Sequence, residues 1–184
     1  MNDATAFRRA SDEFVDRARH VGADHWSGPT PCTEWDVRQL VNHVAGEYLW
    51  VVELMDGKTI AEVGDRLGAD VLGDDPFNVL SDAQRRACEA FEGSDGLTRT
   101  VHLSFGDVPA ADYAQQMAVD SVIHSWDLAR AIAGNESLNS DLVNYAYAYL
   151  AKNAEDWRTG GAFGPEKSPA DDSLQAKLLA MTGR

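Results

Sequence analysis

Small and apolar side chains recur along this chain at helical spacing, and the spacing changes once. Phe7, Ala10, Ser11, Phe14 and Ala18 share one face of a repeat of about 3.6 residues, which predicts a helix over 6–20. A Gly/Pro/Thr-rich linker, GADHWSGPTPC, follows. Asp36 is placed to cap a second helix, which carries a stripe of Val41, Val44, Ala45, Tyr48, Val52 and Met55 and stops at Gly57. Glycines and aspartates over 58–76 predict a loop with a short helix at its start. Leu80, Ala83, Ala87 and Ala90 predict a third helix over 78–91. In TRTVHLSF the period drops to two: Val101, Leu103 and Phe105 alternate with His102 and Ser104, which predicts a short strand or hairpin. Helical spacing then returns over 109–133, closing at Gly134, and over 141–157. After a Gly/Pro/Asp-rich loop, a short amphipathic helix covers 173–181. The pattern predicts a mainly all-α bundle with one β excursion before the fourth helix and a short C-terminal helix.

Composition adds bounds. At 184 residues, 44% of them hydrophobic, the chain is expected to form one domain over 1–184 and to bury a core without disulfide staples. Cys32 and Cys88 form no CxxC pair, which suits a reducing compartment. No apolar run approaches the roughly 20 residues of a membrane span, and no apolar segment follows Arg8-Arg9 to make a secretory signal. A cytoplasmic location is expected. The formal net charge of −14 argues against nucleic acid and anionic membrane as partners, because both are bound through Lys/Arg patches.

The chemistry lies where polar residues interrupt apolar helix faces. In DSVIHSWDLARA, Asp120 and His124 are four apart and so stand one above the other, with Asp127 near the same line. On the second helix, His43 and Glu47 share a line with Leu40, Trp50 and Leu54. Buried charge is costly unless paired or bound to a metal. If the second and fourth helices lie side by side, His43, Asp120 and His124 would offer two imidazoles and one carboxylate, a set that suits Zn²⁺, Ni²⁺ or Fe²⁺ and leaves positions for water or substrate. Spacing alone leaves a second reading open, in which Asp120 and His124 are an ordinary hydrogen-bonded pair and His43 a core histidine.

Three stretches carry a resemblance: TPCTEWDVRQLVNHVAGE (30–47), DSVIHSWDLARAIAG (120–134) and AFGPEKSPADDSLQAKLLAMTGR (162–184). With a TPC-x-x-W lead-in, an H-x-x-x-E and an H-x-W-D-L-A, the chain resembles the DinB-like putative metal-binding proteins related to the N-terminal domain of mycothiol-dependent maleylpyruvate isomerase. The resemblance implies a four-helix bundle holding a divalent metal, zinc above all, on His43, Asp120 and His124, with Asp120 standing where the isomerase has Glu. The isomerase also has a second domain contributing to its substrate pocket. This sequence shows no counterpart of it, so maleylpyruvate itself is not the expected substrate.

Members of known activity use a low-molecular-weight thiol, so mycothiol is the expected co-substrate. A metal-stabilised thiolate would attack a small electrophile, in a transferase or isomerase reaction. Glu47 is then the expected catalytic proton acceptor or hydrogen-bond anchor beside the metal, with a role as fourth ligand left open, and Asp127 is expected to orient a ligand, to tie its helix to a neighbour or to pair with Arg130. Rival readings are a metal-dependent hydrolase and a non-catalytic protein that binds metal or thiol. Cys32, beside Pro31 and Trp35, is expected to be structural, and Cys88 a buried hydrophobe. Trp26, Trp35, Trp50 and Trp126 are expected in the core, with Trp50 able to wall the pocket, while Tyr145 and Tyr147 are candidates for pocket lining. The expected oligomeric state is a monomer or a homodimer.

Overall fold

The computed structural model describes residues 1–184. Seven helices and one hairpin follow each other along the chain. Asn2 opens α1 (Asp3–Ala18) by accepting a hydrogen bond from the Thr5 N–H, so the helix begins before the apolar repeat does. Asp36 caps α2 (Val37–Met55) through a reciprocal box with Gln39, as expected. A similar box between Thr59 and Glu62 opens the one-turn α3 (Ile60–Val63). Asp75 and Pro76 start α4 (Pro76–Glu92) two residues ahead of the apolar pattern, because proline at the first helical position has no N–H to satisfy.

The period-two segment is a hairpin of β1 (Thr100–Leu103) and β2 (Gly106–Pro109), with Val101 opposite Val108 and Leu103 opposite Gly106. Phe105 departs from the alternation. It sits in the two-residue turn and is 70% exposed, because the strand ends at Leu103. The chain passes from β2 straight into α5 (Ala110–Ala131), where Met117–Val119 and Ser121–Ala129 are all buried. α6 (Ser140–Thr159) and α7 (Leu174–Met181) complete the helices. None of these helices is long and apolar enough to cross a membrane.

Two compact units result, Met1–Asn135 and Glu136–Arg184. In the first, α1 packs on α5 and α4, and α2 packs on α4 and α5, so the four long helices close a ring. Each sends one aromatic ring to its middle. Phe7 meets Tyr48 and Phe91 edge-on at 5.5 and 5.1 Å, and Phe91 meets Tyr113 at 5.9 Å. Tyr48 has a polar partner as well. Ser121 donates its hydroxyl proton to the Met117 carbonyl, so Tyr48 OH is the donor in the 3.0 Å bond to Ser121 Oγ. That bond ties α2 to α5 in the stretch where both carry the polar residues singled out above. In the second unit α6 packs on α7, and Trp157 stacks on Phe163. Tyr145 and Tyr147 belong to α6.

Candidate functional site

The ring of four helices places α2 beside α5, and with it His43 beside Asp120 and His124. Asp120 Oδ1 is 3.3 Å from His124 Nε2, and Asp120 Oδ2 is 3.7 Å from His43 Nε2. One ligand atom from each of the three residues falls within 4.8 Å of the others. The two imidazoles meet edge-on at 5.0 Å. His124 is buried, while His43 and Asp120 are half-buried, so the cluster reaches from the interior toward solvent.

Charge and burial compete here. Burial alone would push the Asp120 carboxyl up, but His124 and His43 beside it pull harder, and it lies below the usual carboxylate range. Burial likewise pushes His124 down, yet Asp120, Asp127 and Cys32 hold its proton well above the ordinary imidazole value. Glu47, one turn beyond His43, is raised by burial first and by the Asp120 charge second, with the two histidines opposing. The same carboxylates bear on Tyr113, whose phenol is raised chiefly by burial and then by Glu47 and Asp120. Glu47 and Tyr113 are thus electrostatic neighbours of the cluster.

The far side of His124 is closed by a second group. Its Nδ1 lies 2.9 Å from Asp127 Oδ2, and the Asp127 side chain is fully buried. Cys32 Sγ lies 3.3 Å from the same oxygen and 4.0 Å from Nδ1. Asp127 therefore orients His124, and the Arg130 guanidinium lies over the Trp126 ring at 5.2 Å. The TPC turn brings Cys32 there. Gly28 and Trp26 accept from the Val37 and Arg38 N–H groups, Trp35 N–H donates to the Cys32 carbonyl, and the Thr30 hydroxyl is shared between the Cys32 and Trp35 carbonyls at 3.0 and 2.8 Å. This stapled loop also carries Trp35 onto the cluster, at 4.6 Å from the His43 ring and 5.9 Å from that of His124.

Two expectations change as a result. Cys32 is not merely part of a packed turn, since it contacts the histidine–carboxylate pair. Trp35, expected only in the core, lies tilted against the His43 ring and so belongs to the cluster. Both residues reach α5 across about ninety positions of sequence, and the one local hint was a threonine able to close its own loop.

Residues 7–129 match the family described as the mycothiol maleylpyruvate isomerase N-terminal domain. The chain belongs to that family. Every residue of the cluster lies inside the matched span, and the span lies inside the first compact unit. Two relatives of this mycothiol maleylpyruvate isomerase N-terminal domain chain are uncharacterized proteins of Mycobacterium tuberculosis, MT0763 of strain CDC 1551 and Rv0738 of strain H37Rv. Each is 30% identical over 100% of this chain and 98% of its own length. Among solved structures, the crystal structure of the mycothiol-dependent maleylpyruvate isomerase is similar at a TM-score of 0.66 and 18% identity, covering 89% of this chain and 72% of that one. A mutant of the same isomerase matches equally in TM-score, at 17% identity. The fold is thus the DinB-like one the motifs suggested.

Proposed function

We propose that this chain holds a divalent metal ion, zinc first among the candidates, on His43, Asp120 and His124, and acts as a mycothiol-using transferase or isomerase on a small electrophile. The spacing of the donor atoms supports the reading most directly. Ligands about 2.1 Å from a tetrahedral ion lie about 3.4 Å from one another, and the Asp120 oxygens stand 3.3 and 3.7 Å from the two imidazole nitrogens. Two imidazoles and one carboxylate leave a coordination position for an outside ligand. An ion bound there would supply the Lewis acidity that makes a thiol acidic enough to react at neutral pH.

The chain's own side chains would do the remaining work. Asp127 accepts a hydrogen bond from the Nδ1–H of His124 and so turns Nε2 toward Asp120 and His43. Glu47 keeps its proton closer to neutral pH than an ordinary carboxyl does, which suits a group that accepts and returns a thiol proton. Trp35 shields one face of the His43 ring. The choice of thiol rests on the family, whose structurally similar member is a mycothiol-dependent isomerase.

Metal content measured by plasma mass spectrometry, on the wild type and a His43→Ala, His124→Ala double variant, tests the first half. Stoichiometric zinc or nickel is expected in the former and none in the latter. Metal-loaded protein given mycothiol and a panel of electrophiles should then consume thiol, and Glu47→Gln should slow it. Ester or amide cleavage without thiol would make the protein a hydrolase, and an ion without turnover a binding protein. A wild type that takes up no ion after reconstitution would sink the proposal.

A further inference from the structure

His124 presents two nitrogens to two environments. Nε2 faces Asp120 and, through it, His43. Nδ1 faces the inner pair, Asp127 and Cys32. The inner group could be read as a second metal position, because its ligand atoms also fall within 4.8 Å of one another. Its distances argue otherwise. Nδ1 and Oδ2 are 2.9 Å apart, the length of an N–H···O bond and shorter than the separation of about 3.4 Å between ligands of one tetrahedral ion. That spacing is the geometry of a hydrogen bond from Nδ1–H to the carboxylate. At 3.3 Å from the same oxygen, the Cys32 thiol is placed to donate to the carboxylate.

We infer that Cys32 is a positioning residue: its S–H helps hold the Asp127 carboxylate in the orientation that accepts a hydrogen bond from the Nδ1–H of His124, and so turns Nε2 toward Asp120 and His43. The purpose of the arrangement rests on the metal reading above, although its hydrogen bonds do not. Asp127 is fully buried and an ionised carboxylate there needs donors. One comes from its own helix, three residues back. Cys32 brings another from outside the helix, on a loop whose backbone is fixed by the Thr30 hydroxyl, the Trp35–Cys32 bond and the bridge between Pro29 and Asp36. The loop thereby reports on α5 and α2 together. It is anchored to the start of the helix that carries His43, while its thiol sets the histidine of the other helix. Outer partners of this kind, linked to a ligand through one hydrogen bond, typically change metal affinity by 10- to 100-fold when removed. A thiol placed as a nucleophile would instead face the opening beside His43.

Cys32→Ser keeps a donor, whereas Cys32→Ala and Cys32→Val remove it, and two donor-free variants guard against one that fails to fold. Two quantities are read. One is solvent exchange of the His124 Nδ1 proton, by NMR of metal-free protein labelled in histidine. The other is zinc affinity, by competition with a chromophoric chelator. In the wild type the proton should be protected. In both donor-free variants it should exchange faster and zinc affinity should fall about 10-fold, and Cys32→Ser should recover both. Folded donor-free variants with unchanged exchange would overturn the inference, as would a serine variant no better than alanine. A sulfur-to-metal charge-transfer band in cobalt-loaded wild type that vanishes in Cys32→Ser would overturn it too, by making Cys32 a ligand. Should the wild type bind no ion, the metal reading fails alone, and the exchange measurement on metal-free protein still decides the role of Cys32.

Discussion

At the scale of single residues, the proposed metal site would set a proton and a cation in competition for His124. Asp120 holds the His124 proton well above the ordinary value of 6.5, against the pull of burial. A cation must displace that proton, so zinc affinity should rise steadily from mildly acid through mildly alkaline pH, and chelator competition across that range measures it. The stability of metal-free protein follows the same shifts. A raised folded value for His124 contributes stability that is complete below 6.5 and lost as pH rises through the folded value. A lowered one for Asp120 contributes stability present above 3.8 and lost as pH falls through the folded value. Thermal melts in chelator should therefore decline on the alkaline side of neutrality, and the decline should be absent in His124→Ala; an equal decline in both would refute the assignment. The i,i+4 spacing made the Asp120–His124 pair legible in the sequence, and the polar break in an apolar stripe drew attention to His43. Cys32 and Trp35 were not legible as site residues. Their approach depends on how a loop closes on itself, which no periodicity encodes.

At the scale of elements, caps decide where helices begin and end. The apolar repeat placed the helices, but Asn2, Asp75 and Pro76 start α1 and α4 earlier than the repeat does. The C-terminus of α5 has the converse character. Gly134 looked like the terminating residue, yet the left-handed position falls on Ala133, at φ 53°, and Gly134 only donates back to the Ala129 carbonyl. The Ala133 N–H bonds the Arg130 carbonyl, which completes a Schellman end with a side chain where glycine is preferred. An L-residue in that conformation costs about 1–2 kcal/mol, partly offset by the freedom glycine gains when unfolded. Ala133→Gly should therefore raise stability by up to about 1 kcal/mol, read as a higher urea midpoint at unchanged slope. A lower midpoint would show that the methyl group contributes packing that the backbone angle does not reveal. The hairpin shows the limit of reading strands by alternation: Val101 is buried as the pattern requires, but Phe105, last of the same phase, falls in the turn after Leu103.

Across the whole molecule, four helices share one aromatic middle, and the charges outside it are unbalanced. Thirty acidic against sixteen basic side chains leave a net charge of −14, so like-charge repulsion works against the compact state. Salt screens repulsion and the exposed ion pairs alike, and with acids in such excess the repulsion dominates. Melting temperature should rise as sodium chloride goes from a few millimolar to physiological strength; a fall would mean that the surface ion pairs outweigh the excess charge. Helix count and bundle class could be read from the sequence because each long helix carries its own apolar face. The meeting of Phe7, Tyr48, Phe91 and Tyr113 could not, since contacts between helices are a property of their packing and not of any one stripe.

The indole of Trp35, lying 4.6 Å from the His43 imidazole, gives the cluster an optical address. An imidazolium in contact with an indole withdraws its emission, and a neutral ring does so far less. With the other four tryptophans replaced by phenylalanine, the remaining fluorescence would brighten or dim with whatever His43 holds, so that occupancy could be followed in a stopped-flow cell without adding a dye.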